Sequence, residues 1–172
     1  MKLSKEQKSR LGRIKLLGMD VDGVLSEGYL IWQANGQEIK RFHVHDGWGL
    51  AMASKAGIKL ALLTARRSKV TAIRARTLHI TDVLVSRVDK LKLYKSLKKK
   101  YRLKDEEIAY MGDDWLDIPV IRECGFGVAV KNARPEVKKV ADYVTKITGG
   151  HGAVREIVEM ILAAQGKLKV PK

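Results

Sequence analysis

The sequence predicts a three-layer α/β domain, a mostly parallel sheet with helices on both faces. Short apolar runs of strand length alternate with amphipathic stretches, and the helical stretches open on residues suited to helix N-termini. The polar residues able to do chemistry stand directly behind the apolar runs, at the edge of a parallel sheet where sites form.

Lys15 to Met19 is the first strand, and it runs straight into Asp20-Val21-Asp22-Gly23-Val24. Tyr29 to Ala34 and Gln37 to Phe42 then flank Asn35-Gly36, two residues that tolerate positive φ and so predict a tight hairpin turn. This hairpin, at about residues 29–42, is inserted just after the first strand. Its apolar residues Ile31, Trp32, Ile39 and Phe42 need cover, either from a second copy of the chain or from its own domain. One helix fits before the next strand, Lys59 to Leu63. Ser68 opens a helix to about Leu78, Asp82 to Val85 is a strand, and Asp89 caps a helix ending near Tyr101. Ile108 to Met111, Gly127 to Val130 and Tyr143-Val144 complete the strands. Asp114 opens the helix before Gly125, Pro135 sits early in a short helix, and the last helix runs from about Gly152 to Gln165.

At 172 residues the chain is expected to form one domain, residues 1–172, ending in a C-terminal helix and tail at about 152–172. With 45% hydrophobic and 31% charged residues and three prolines, it has the composition of a folded soluble protein. Met1 to Lys15 is charged throughout, unlike a signal peptide or anchor, and no apolar stretch reaches the length of a membrane span, so a cytoplasmic protein is expected. Cys124 is the only cysteine, which excludes an internal disulfide and a cysteine-built zinc site. The net charge of +15 suits nucleic acid, an acidic surface or a small anionic substrate. No aromatics interleave with the lysines as a base-stacking surface needs, so no nucleic-acid partner is expected, and Lys98-Lys99-Lys100 reads as a solvated helix end.

Two carboxylates two residues apart at the end of a buried strand are costly unless a cation or a reacting phosphate lies between them. Thr64 and Arg66 follow the next core strand, Asp89-Lys90 open the helix after the one beyond, and Gly112-Asp113-Asp114-Trp115-Leu116-Asp117 follow Ile108 to Met111. Gathered in one crevice, Asp20, Asp22, Asp113, Asp114 and Asp117 repel one another, so a hard divalent cation, Mg²⁺, is expected among them. With Thr64 and Lys90 on its rim, such a site suits the oxygens of a phosphoryl group, and the substrate is expected to be a phosphate ester.

In this order and spacing, Asp-x-Asp-Gly-Val, Leu-Leu-Thr, Asp-Lys and Gly-Asp-Asp-x-x-Asp resemble the haloacid dehalogenase superfamily of phosphatases, with its Rossmann-like sheet. The resemblance implies that Asp20 is the nucleophile that forms an aspartyl-phosphate, and that Asp22 protonates the leaving alkoxide and later activates water. It implies that Thr64 holds a phosphoryl oxygen, that Lys90 neutralises phosphoryl charge, and that Asp113 binds Mg²⁺ with Asp20 and the backbone carbonyl of Asp22. Asp114 and Asp117 then orient the metal's waters or neighbouring donors. Between Asp22 and Thr64 there is room only for the hairpin and one helix, so the chain resembles the capless members, which shield the pocket by oligomerisation.

Phe42-His43-Val44-His45-Asp46-Gly47-Trp48-Gly49-Leu50, Thr64-Ala65-Arg66-Arg67-Ser68 and Gly149-Gly150-His151-Gly152-Ala153-Val154-Arg155-Glu156 together resemble the 3-deoxy-D-manno-octulosonate 8-phosphate phosphatases. That resemblance implies a homotetramer with hairpins meeting at its centre, a C-terminal tail approaching a neighbour's site, and a product used in the lipopolysaccharide core. Ala65 stands where the family usually has glycine, and His45 where arginine is common. A related sugar-acid phosphate, such as a sialic-acid-type 9-phosphate, remains the alternative substrate. Arg66 is a candidate for binding the anionic substrate or else pairs with a neighbouring Asp, and Asp46, at a helix start, is a further substrate-binding candidate. His43, His45 and His151 read as packing or surface residues, and His79 as a helix-end residue.

Overall fold

The structure is a computed structural model that describes residues 4–169. Along the chain its elements are α1 (Lys5–Gly12), β1 (Leu16–Met19), β2 (Ile31–Trp32), β3 (Glu38–Ile39), α2 (Val44–Lys55), β4 (Lys59–Thr64), α3 (Lys69–Thr77), β5 (Asp82–Val85), α4 (Lys90–Tyr101), β6 (Ile108–Gly112), α5 (Ile118–Glu123), β7 (Phe126–Ala129), α6 (Pro135–Val140), β8 (Tyr143–Val144) and α7 (Ala153–Ala164). Short 3₁₀ turns precede β6 and α5, at Asp105–Glu107 and Trp115–Asp117.

The sheet runs β5-β4-β1-β6-β7-β8 with every neighbouring pair parallel. A parallel sheet is buried on both sides, which is why β1, β6 and β7 are apolar without alternation and buried at every position. Packing places α1, α2 and α7 together on one face and α4, α5 and α6 together on the other, giving the three layers expected. From β1 the chain steps outward to β4 and β5, then returns to β6 and steps the other way. The strand order therefore reverses between β1 and β6, which opens a crevice at their carboxyl ends.

Ser68 and Asp89 cap α3 and α4 as expected, accepting from the Thr71 and Lys92 amides at 3.1 and 2.9 Å, and Pro135 opens α6. Cys124 is buried, in keeping with a packing role. Two features differ from the sequence expectation. The charged N-terminal stretch holds α1, started by a reciprocal Ser4–Gln7 capping box; its Leu11 is fully buried and its Arg10 bridges Gly125 O and Asp142. The hairpin is shorter than residues 29–42, pairing only Ile31–Trp32 with Glu38–Ile39, and its turn is wider. Gln33 N–H donates to Gln37 O at 2.9 Å, so three residues, Ala34 to Gly36, make the loop, with Gly36 at φ +79°. That is the type I turn plus left-handed glycine used by three-residue hairpins, not a two-residue turn.

The final helix starts one residue inside its glycines, with Gly152 as its N-cap at φ +115°. The last part of the C-terminal tail, residues 170–172, lies outside the described residues, as do residues 1–3. No helix among the described residues is long and apolar enough to cross a membrane.

Candidate active site

β1 ends by handing the Asp20 amide to Met111 O at 3.0 Å, which extends the β1–β6 ladder by one residue and places Asp20 in the crevice. The chain then doubles back at once. Val21 O accepts from the amides of Val24, Leu25 and Ser26, and Gly23 N–H donates to Ser26 O at 3.2 Å. The Gly149-Gly150 segment clasps this loop: Gly150 N–H donates to Val24 O at 2.9 Å, and a Cβ on Gly149 would stand 1.8 Å from Gly23 O. Only glycine fits there, which is the physical content of the late glycine motif. Asn132 joins the two, donating to Gly23 O at 3.0 Å and accepting from Gly149 N–H at 2.6 Å.

Lys90, the first residue of α4, is buried with its ammonium 3.0 Å from Asp20 Oδ1 and 2.7 Å from Asp117 Oδ1. Asp117 is wholly buried and fully used: Oδ1 accepts from Lys90 and from the Tyr110 hydroxyl at 2.7 Å, while Oδ2 accepts from the amides of Asp113 and Asp114 at 3.0 and 3.2 Å. Asp117 therefore ties α4, β6 and the loop after β6 into one frame. Thr64, at the end of β4, is also buried, and its Oγ1 accepts from the Arg66 amide at 3.2 Å. A groove of about 490 Å³ opens beside it, lined in part by Arg66, Ser68, Thr71, Val83 and Leu93.

The five carboxylates do not all converge. Ligand oxygens of Asp20, Asp113 and Asp117 lie within 4.8 Å of one another. Asp114 is exposed and caps the 3₁₀ turn through the Trp115 amide at 2.7 Å, and the Asp22 side chain turns instead to Lys40. Asp46, expected near the substrate, serves a structural role instead. It is fully buried, and its two oxygens accept from the Gly152 and Arg155 amides at 3.1 and 2.8 Å, so in this structure it caps α7. Arg66 makes the pairing with an Asp that was its other reading, 3.9 Å to Asp22, and also a 3.4 Å bridge to Glu38, yet its Nη1 has no hydrogen-bond partner among the described residues.

Residues the sequence reading missed complete the site. Lys40 and Glu38 come from the hairpin end, Tyr110 from β6 and Asn132 from the loop after β7. Tyr110 carried one available signal, a hydroxyl inside a run too apolar to satisfy it, since such groups find a partner when buried.

Burial and like charge dominate the electrostatics. Burial pushes the Asp20 carboxyl up to about 6, against the pull of Lys90 and helped by Asp117, and burial with Asp20 and Asp117 as neighbours pushes Asp113 up to about 8. Burial alone depresses an ammonium, but Asp20 and Asp117 hold Lys90 above its usual range. Asp113 Oδ1 is buried without any hydrogen-bond partner among the described residues. An orphaned carboxylate oxygen beside a second carboxylate, in an all-oxygen donor set, fits a hard divalent cation such as Mg²⁺.

The arrangement of an acidic pair at the switch point, a lysine reaching it from a helix start and a third carboxylate for a cation defines a metal-dependent hydrolase of phosphate esters on a Rossmann-like sheet. The profile of haloacid dehalogenase-like hydrolases matches residues 58–157. Over 170 residues, 99% of this chain and 90% of the relative, the sequence is 42% identical to the 3-deoxy-D-manno-octulosonate 8-phosphate phosphatase KdsC of Escherichia coli strain B / BL21-DE3. The crystal structure of the Yersinia pestis 3-deoxy-D-manno-octulosonate 8-phosphate phosphatase superposes with a TM-score of 0.94 at 42% identity, covering 96% of this chain and 90% of that one. The Moraxella catarrhalis enzyme, solved with magnesium, phosphate and KDO, gives 0.92 at 42% identity, covering 95% and 94%. The chain belongs to the haloacid dehalogenase-like hydrolases and, within them, to the family of 3-deoxy-D-manno-octulosonate 8-phosphate phosphatases.

Proposed function

We propose that this chain is a Mg²⁺-dependent phosphomonoesterase that hydrolyses 3-deoxy-D-manno-octulosonate 8-phosphate to the free sugar acid and phosphate, acting in the cytoplasm as a single catalytic domain. One observation carries the reading: the buried Asp20 carboxylate lies 3.0 Å from the Lys90 ammonium and within 4.8 Å of a ligand oxygen of Asp113, whose Oδ1 is orphaned. Asp20, Asp113 and the main-chain carbonyl of Asp22 would hold Mg²⁺, which would offset the negative charge that otherwise repels a phosphoryl group from Asp20. An Asp20 oxygen bonds to phosphorus, the ester P–O bond breaks, and the leaving oxygen takes its proton from Asp22. Water then attacks phosphorus while Asp22 takes its proton, and the acyl phosphate opens to inorganic phosphate and the Asp20 carboxylate. Lys90 and Thr64 bind the phosphoryl oxygens, Arg66 binds the sugar acid from the groove beside Thr64, and Asp117 holds Lys90 and the Asp113–Asp114 amides in place.

The test is phosphate release across a panel of sugar-acid phosphates with Mg²⁺ and with excess chelator. We expect 3-deoxy-D-manno-octulosonate 8-phosphate to be the best substrate and chelator to stop turnover. Preference for a sialic-acid-type 9-phosphate changes the substrate but keeps the chemistry, and release from none of them defeats the proposal.

The assembly we propose is a homotetramer built on the hairpin. Tyr29, Leu30, Ile31, Trp32 and Ile39 are all exposed around it, an apolar surface that a monomer leaves in water. Sedimentation at micromolar concentration should give a tetramer, and Trp32→Glu should shift it to smaller species. A wild-type monomer under these conditions removes the hairpin from the interface.

A further inference from the structure

We propose that Lys40 is a positioning residue for Asp22: it holds Asp22 Oδ1 so that Oδ2 is the oxygen that gives and takes the proton. The inference rests on the reading of Asp22 as acid and base. Lys40 leaves the end of an exposed hairpin, yet its side chain is only 1% exposed. A buried ammonium is costly unless paired, and its neighbours are the Asp22 Oδ1 it contacts directly and Glu38 Oε1 at 3.7 Å. Glu38 is itself held, through Oε2 by the Ser68 hydroxyl and through Oε1 by Arg66 Nη2 at 3.4 Å. The lysine is therefore braced against the start of α3 and does not float on the hairpin.

The two oxygens of Asp22 are treated unequally. Oδ1 takes Lys40 and the Ser26 hydroxyl at 3.4 Å, whereas Oδ2 makes no hydrogen bond among the described residues, with Arg66 Nη1 3.9 Å away. A carboxyl anchored through one oxygen presents the other in a fixed direction, and fixed direction is much of what a proton donor supplies. When the ester P–O bond breaks, its electron pair stays on the leaving oxygen, and the proton on Oδ2 passes to it. An alkoxide needs that proton, but a p-nitrophenolate departs without it.

The leaving group therefore separates positioning from scaffolding. We expect Lys40→Met to lower kcat/KM for the alkyl sugar-acid phosphate by about 100-fold, the scale of general-acid catalysis, and for p-nitrophenyl phosphate by less than about threefold. Lys40→Arg, which keeps the cation, should recover most of the alkyl activity. The rise of the melting temperature with Mg²⁺ should persist in the variant, and Lys40→Gln supplies the same ratio if the methionine variant does not fold. Equal losses on both substrates, or no loss, overturn the proposal and leave the phosphatase reading standing. Inactivity of the wild-type protein towards both substrates instead defeats the phosphatase reading itself.

Discussion

Asp20→Asn should abolish phosphate release, by at least about 10³-fold, because an amide oxygen cannot form the acyl phosphate on which both half-reactions depend. The variant should nevertheless fold. Lys90 keeps its 2.7 Å partner Asp117, and the change removes a charge that burial and Asp117 penalise. The sign is set by the direction of the shift. A carboxyl raised from 3.8 to about 6 in the folded state destabilises the fold progressively as pH climbs above 3.8, and the full cost is present above about 6. At neutral pH without metal, the variant should therefore melt no lower than wild type. Melting curves in metal-free buffer and a phosphate-release assay check the two halves. Residual turnover within tenfold of wild type excludes Asp20 as nucleophile.

Asp117→Ala should show the opposite balance, with a large loss of stability and of activity together. It strips the buried Tyr110 hydroxyl and two loop amides of their acceptor and leaves Lys90 with Asp20 alone. Breaking a buried charge network of this kind costs about 3–5 kcal/mol. For a chain of this length that lowers the melting temperature by roughly 6–20 °C. Asp117→Asn, which keeps one acceptor, should lose less. Chemical denaturation measures the free energies, and an alanine variant within about 1 kcal/mol of wild type rules out the hub role assigned to Asp117.

Asp20, Thr64, Lys90 and Asp113 were legible in the chain because a parallel sheet brings its strand ends to one edge. Any residue directly behind a core strand is then a candidate, with no knowledge of packing. The four inner strands β1, β4, β6 and β7 were legible for a similar reason, since burial on both faces writes them as nearly unbroken apolar runs. The capping role of Asp46 was not legible because a carboxylate at a helix start looks the same whether it faces solvent, substrate or the amides of another helix. Here it caps α7, more than a hundred residues away. Helix α1 was overlooked because its charge masked a capping signal, Ser4 and Gln7, that was present.

Lys40 shows the boundary most clearly. In sequence it is one lysine among many in a basic chain, on a hairpin whose pattern speaks only of exposed edges. Its pairing with Asp22 depends on the path of the hairpin after Gly36, which no local signal encodes. The sequence by itself determined the sheet, the acidic pair at its edge and the class of chemistry, because these follow from local periodicity and from the electrostatic cost of clustered carboxylates. Only the tertiary structure decided which carboxylates meet, that Asp117 is a saturated hub, that Asp46 belongs to a helix cap, and that the hairpin reaches the site. Each of those is a contact between residues distant in sequence, set by the packing of whole elements and not by the preferences of any one segment.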